Sequence, residues 1–269
     1  MDPALIVAFV ALGALVGFLA GLFGIGGGMT MVPLLTLAFS YQGFAAEHVV
    51  HLAVATATAT ILFTAVSSTW EHHRHGAVLW GVVTGMAPGI VVGSLAGTQI
   101  VGRMTTSLLA GFFGVFVAVA ATNIMLDRKP APTRELPGSA GLFAAGFAIS
   151  LLASMVGAGG AFLTVPFLVA CNVALRKCVA TSAALGLPVG IAGTIGYAIA
   201  GWNAPGLPPW TLGYVYVPAL LAIVVGSVVS APAGARAAHR WPVSRLRRAY
   251  AALLYVLAAY MLWKAWASA

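Results

Sequence analysis

The chain has 269 residues, of which 61% are hydrophobic and only 7% charged, with a mean hydropathy of +1.01. A soluble domain carries about 25% charged residues, so this composition excludes one and describes a polytopic membrane protein. The net charge of +8 would suggest a nucleic-acid partner in a soluble chain; here it is the Lys/Arg excess of cytoplasmic loops, and no nucleic acid is expected.

The start, Met1-Asp2-Pro3-Ala4, has no basic leader, so the first apolar segment is expected to stay rather than be cleaved. The apolar run from Ala4 to Phe39 is too long for one span of about 20 residues. It is broken by Gly24-Ile25-Gly26-Gly27-Gly28, poor helix formers that are followed by Val32-Pro33. The pattern predicts two half-helices meeting at a glycine turn. It returns in the second half, where the run from Leu142 to Ala170 carries Gly157-Ala158-Gly159-Gly160-Ala161 and then Val165-Pro166.

Between and after the broken runs lie six segments long enough to cross: about 52–70, 77–100, 105–126, 178–201, 212–234 and 246–266. Gly93-Ser94 matches Gly226-Ser227 at the same offset as the glycine breaks, and Val54-Ala55-Thr56 matches Val179-Ala180-Thr181. The chain therefore reads as two repeats, 1–127 and 136–269, joined by a charged, Pro-rich connector at 128–135. Cys171 and Cys178 show no CxxC spacing, and the cluster Glu71-His72-His73-Arg74-His75 has an arginine in its middle. No metal, redox centre or other cofactor is expected.

Basic residues decide between two architectures. If each broken run crosses once, the 13 Lys and Arg divide eight to five between the faces. If each enters and returns to its own side, Arg74, the connector, Arg176, Lys177 and the five arginines from Arg236 to Arg248 share a face. The division is then eleven to two, with Arg103 and Lys264 opposite. The second arrangement obeys the positive-inside rule far better. The expected fold is an all-α polytopic membrane protein with two inverted repeats, each a glycine-broken hairpin plus three transmembrane helices. The connector 128–135 and the loop 235–248 are expected to be cytoplasmic. Zero and two crossings satisfy the same parity, so each hairpin is either re-entrant or fully crossing.

Gly21-Leu22-Phe23-Gly24-Ile25-Gly26-Gly27-Gly28 with Val32-Pro33, then His51-Leu52-Ala53-Val54-Ala55-Thr56, resembles the sulfite exporter TauE/SafE family. The second half repeats the pattern, ending in Arg176-Lys177-Cys178-Val179-Ala180-Thr181-Ser182. The resemblance covers nearly the whole chain. It implies a permease of the plasma (inner) membrane for small sulfur-containing or organic anions, such as sulfite or sulfonates. That family is usually described as duplicated four-segment units, which an inverted arrangement departs from. Two residues also depart from its pattern: Ala57 stands where a Ser usually follows the Thr, and Ala161 replaces the last Gly of the second turn. Ala161 would resist a positive φ, so the first turn is expected to carry more of an anion nest.

A broken helix in lipid exposes N–H groups and points the positive end of its second half at the break, where an anion is the natural partner. Paired interruptions in two halves are the sequence pointer to a transporter site. The candidate anion ligands are Gly26, Gly27, Gly28, Met29 and Thr30 in the first half and Gly159, Gly160, Ala161 and Phe162 in the second, through their amides. Thr56, Thr181 and Ser182 join them through hydroxyls, because no Lys or Arg lies mid-segment. For each hydroxyl the competing role is a bond to its own helix, and for each glycine close helix packing. All five acidic residues fall at segment ends or in loops, so proton coupling would have to use His51, Glu47 or His48 near one mouth.

A passive anion channel shares these features, and a non-transporting membrane scaffold would not need matched interruptions. An intramembrane hydrolase would need a nucleophile elbow or an HExxH helix, and neither is present, so no enzyme is expected. The expected partners are a small anion and the lipid bilayer, with a homo-oligomer left open.

Overall fold

The computed structural model describes residues 3–23, 27–126, 135–238 and 243–268; the expected connector, apart from Glu135, lies outside them. Ten helices are described: α1 (Pro3–Phe23), α2 (Gly28–Tyr41), α3 (Val49–Arg74), α4 (Trp80–Arg103), α5 (Thr106–Leu126), α6 (Ser139–Met155), α7 (Ala161–Ala170), α8 (Leu175–Ala200), α9 (Val217–Ala238) and α10 (Val243–Ala267). A two-stranded antiparallel hairpin, β1 (Thr211–Leu212) and β2 (Val215–Tyr216), sits between α8 and α9. Among the described residues five helices are long and apolar enough to cross a membrane: α3, α4, α5, α8 and the 248–267 part of α10. The protein is an all-α polytopic membrane protein. Both long runs are broken as the glycines predict, and the resulting α2 (14 residues, about 21 Å) and α7 (10 residues, about 15 Å) are too short to span about 30 Å of hydrocarbon.

Small residues dictate which helices meet, because lipid tails give no hydrophobic drive for helix association and close van der Waals approach must supply it. Gly89 and Gly93 of α4 lie so close to the Phe143 and Phe147 carbonyls of α6 that a Cβ would sit 2.1 and 2.3 Å from their oxygens. Gly13 and Gly17 of α1 meet Ile223 and Ser227 of α9 in the same way. Helix α6 thus packs on α4 and α1 on α9, and in both pairs the two helices run in the same direction.

The long central pair runs oppositely. Thr69, Ala65, Leu62 and Thr58 of α3 meet Ala183, Gly186, Gly190 and Gly193 of α8, an antiparallel register. In the Thr-rich stretch of α3, Thr58 and Thr60 donate back to the Val54 and Thr56 carbonyls at 2.8 and 2.9 Å, which satisfies those hydroxyls within their own helix. Helices α5 and α10 are also antiparallel, with Ser107 Oγ donating to the Ala265 carbonyl at 2.7 Å and Thr122 Oγ1 lying 2.7 Å from Tyr255 Oη.

These directions place the starts of α3 and α5 and the ends of α4, α8 and α10 at one end of the bundle. The end of α3 and the starts of α4 and α8 lie at the other. Exposed tryptophans mark both ends, Trp202, Trp210, Trp263 and Trp266 at the first and Trp70 and Trp80 at the second, as aromatic residues do at membrane interfaces.

Candidate functional site

The two glycine turns touch. A Cβ on Gly28 would lie 2.3 Å from the Gly157 carbonyl oxygen and 2.8 Å from the Ala158 Cα. Gly157 in turn lies against Val32 of α2 and the Val54 carbonyl of α3, and Gly159 lies against Ile61. The second turn therefore rests on the N-terminal half of α3, at the opening of α2.

Both half-helices begin alike. Gly27 is the N-cap of α2, and its carbonyl accepts from the Thr30 and Met31 amides at 3.2 and 2.9 Å and from Thr30 Oγ1 at 2.9 Å. Gly160 is the N-cap of α7, and its carbonyl accepts from the Leu163 and Thr164 amides at 3.0 and 2.8 Å. The Thr30 and Leu163 amides are thus spent inside their helices. The first-turn amides of Gly28 and Met29 in α2, and of Ala161 and Phe162 in α7, have no intrahelical acceptor and face the positive dipole end. Gly26 lies outside the described residues. Met29 and Thr30 are fully buried side chains, and Phe162 packs edge-on to Phe116 of α5 with ring centroids 6.0 Å apart.

The backbone shape of the turns corrects the expectation for Ala161. Gly27 has φ −76°, an ordinary helical value, so the first turn does not use it for a left-handed bend. The left-handed residues are Gly157 and Gly160, at φ +62° and +75°. Ala161 opens helix α7, where a negative φ suits any residue, so the loss of a glycine there leaves the second turn intact.

Two of the candidate hydroxyls accept backbone hydrogen bonds. Thr56 Oγ1 accepts from the Tyr216 amide at 3.1 Å, and Thr181 Oγ1 accepts from the Leu79 amide at 3.1 Å. Tyr216 directly precedes α9 and Leu79 directly precedes α4. Thr56 in the first half of the chain therefore caps the start of α9 in the second, and Thr181 in the second half caps the start of α4 in the first, an exchange invisible in the spacing. Both hydroxyls act here as acceptors, which leaves their hydrogens for a donor role. Ser182 is 2% exposed, and its Oγ has no partner among the described residues.

The histidines gather at the end of the bundle where α3 starts. His51 Nε2 lies 3.1 Å from both the Val101 and Met104 carbonyls, the last acceptors of α4, so this nitrogen carries the hydrogen and caps that helix. His48 Nε2 donates to the Pro205 carbonyl at 2.9 Å and lies 3.5 Å from the Glu47 carboxylate. Tyr214 packs on both imidazoles, with centroids 5.7 Å from His48 and 5.1 Å from His51. Burial, with the Glu47 carboxylate beside it, pushes the Tyr214 phenol above its usual range and keeps it neutral. These residues line a pocket of about 580 Å³ together with Thr105, Thr106 and Lys264. Tyr214 and Lys264 escape sequence reasoning because they belong to the other repeat, far along the chain from His48; Lys264 carries the one signal, as a basic residue on the face poor in them.

A family profile described as "Sulfite exporter TauE/SafE" matches residues 9–261. A probable membrane transporter protein of Haemophilus influenzae is 34% identical over 254 residues, covering 94% of this chain and 96% of its own. A probable membrane transporter protein of Methanocaldococcus jannaschii is 25% identical, covering 94% of both chains. One of Bacillus subtilis is also 25% identical, covering 87% of this chain and 91% of its own. No solved structure matches.

Proposed function

The chain belongs to the sulfite exporter TauE/SafE family of membrane transporters, and we propose that it carries small sulfur-containing or organic anions, such as sulfite or sulfonates, across the plasma (inner) membrane. The observation that carries this reading is the contact between the two glycine turns, Gly28 against Gly157 and Ala158, at the N-termini of two half-helices. Amides of Gly28, Met29, Ala161 and Phe162 would hold the anion, with the Thr56 hydroxyl of α3 as a neutral donor. A neutral donor set binds without the desolvation cost of a buried cation and leaves the anion free to depart.

In this reading the halves 1–127 and 136–269 are inverted about the membrane plane. What supports it is that α3 runs against α8, and α5 against α10, while each is the other's counterpart in the repeat. The end bearing Arg74, Arg176 and Lys177 is taken as cytoplasmic, with the connector 128–135 and the loop 235–248 on the same side.

The test is a panel of sulfite, methanesulfonate, thiosulfate and acetate, in thermal stabilisation of purified protein and in flux from sealed proteoliposomes. A ligand at a hundred times its Kd stabilises by about 2.7 kcal/mol. Saturable flux of a sulfur oxyanion that also raises the melting temperature supports the proposal. Flux and stability indifferent to every anion of the panel refute it.

A further inference from the structure

The pocket at the start of α3 is separate from the glycine turns and has a different chemistry. Its walls are the N-terminal ends of α3 (Glu47, His48, His51) and α5 (Thr105), the end of α4, Tyr214 and the end of α10 with Lys264. Two long helices thus present their positive ends to the cavity and two, α4 and α10, their negative ends, so the helix dipoles offset and the side chains set its charge. The fixed cation is not neutralised by a carboxylate among the described residues, since Lys264 Nζ donates to Ser40 Oγ at 3.3 Å. Thr105 Oγ1 accepts from the Leu108 amide at 3.3 Å, which leaves its hydrogen free to donate.

The two imidazoles complete the picture. Each has Nε2–H held by a backbone carbonyl, so the ring cannot turn without breaking a helix cap or a loop bond. Each has its Nδ1 buried with no partner among the described residues, and His51 is 3% exposed. A neutral ring leaves that acceptor unmet. A protonated ring places a positive charge on a wall whose carboxylate, Glu47, lies 3.5 Å from His48 Nε2 and can offset a single charge. Among the described residues, the ionisable groups facing the cavity are Glu47, His48 and His51 at the start of α3, Tyr214 from the hairpin and Lys264 from α10; α5 contributes none, and Arg103 at the end of α4 is exposed. With both histidines neutral the carboxylate and ammonium cancel. Each proton taken up adds one positive charge, so an anion entering the cavity and a proton entering an imidazole favour each other.

We infer that this pocket is a proton-linked binding site for a small oxyanion, with Lys264 as the fixed charge and His48 and His51 as the groups whose protonation admits the anion. It is a second site, at the mouth of the protein, and it stands whether or not the glycine turns bind anything.

The probe is sulfate, whose own charge is constant between pH 5.5 and 7.5, titrated calorimetrically into the full chain in detergent. If one histidine must be protonated to admit the anion, affinity is higher at pH 5.5 than at 7.5, by up to about a hundredfold over the two units. At pH 7.5, titrations in buffers of different ionisation enthalpy should then show protons taken up with the sulfate. Lys264→Gln should weaken binding at both pH values and keep the ratio between them. His48→Gln, which leaves the α4 cap in place, or His51→Gln, which keeps an N–H for that cap, should bring the ratio toward one. Absence of sulfate binding, equal affinity at both pH values, an undiminished ratio in both histidine variants, or binding untouched by Lys264→Gln would each overturn the inference.

Discussion

Removing the acceptor at Thr56 should loosen the exchange between the two repeats. Thr56→Val keeps the shape of the side chain and deletes the oxygen that takes the Tyr216 amide, at a position where Thr56 is 0% exposed. Hydrogen bonds between helices in a membrane average only about 0.6 kcal/mol, because the separated helices find other partners. Here the oxygen serves a backbone N–H where β2 meets α9, and the net worth of such a hydrogen bond is about 0.5–1.5 kcal/mol, a change of about 2- to 13-fold in the folded population. Thr56→Ser retains the oxygen and loses only a methyl group, so its cost should stay below about 1 kcal/mol. The counterpart Thr181→Val should behave alike, since Thr181 Oγ1 holds the Leu79 amide. Thr56 is the eighth residue of α3 and Thr181 the seventh of α8, and those helices are antiparallel, so the two bonds lie at opposite ends of the bundle. Distant sites add, so the double valine variant should lose the sum of the single losses. Denaturant unfolding in detergent, followed by tryptophan fluorescence, measures all four proteins. A Thr56→Val protein as stable as the wild type, or a serine variant as unstable as the valine one, would refute this reasoning.

At the glycine turns, Gly28→Ala should destabilise the protein by about 1–3 kcal/mol, because its Cβ would lie 2.3 Å from the Gly157 carbonyl oxygen and force the turns apart. Gly160→Ala should cost about 1–2 kcal/mol for its φ of +75°, whereas Gly27, at −76°, incurs no such conformational penalty; thermal unfolding of the three variants ranks them. For orientation, single cysteines at Arg103 and Arg176, against the buried native Cys171 and Cys178, should react with an impermeant maleimide from opposite sides of intact cells. Labelling of both from one side contradicts the assigned directions.

The sequence alone determined the solvent and the breaks. Hydropathy along each apolar run, poor helix formers at Gly24–Gly28 and Gly157–Gly160, and the return of the glycine break with its Val-Pro tail are local properties that read directly from neighbouring positions. They give an all-helical membrane chain with two broken runs and place the long helices close to those observed. The tertiary structure decided what those residues meet. Thr56 and Thr181, which spacing makes candidate ligands, hold the amides of Tyr216 and Leu79 in the opposite repeat, because helix direction and the close approach of small residues bring that repeat's helix starts against them. Gly28, rather than Gly27, is the glycine that permits the turns to touch, since only the approach of Gly157 makes a missing Cβ matter there. The gathering of His48, His51, Tyr214 and Lys264 around one cavity is set by the same long-range packing, whose partners no periodicity within a single helix encodes.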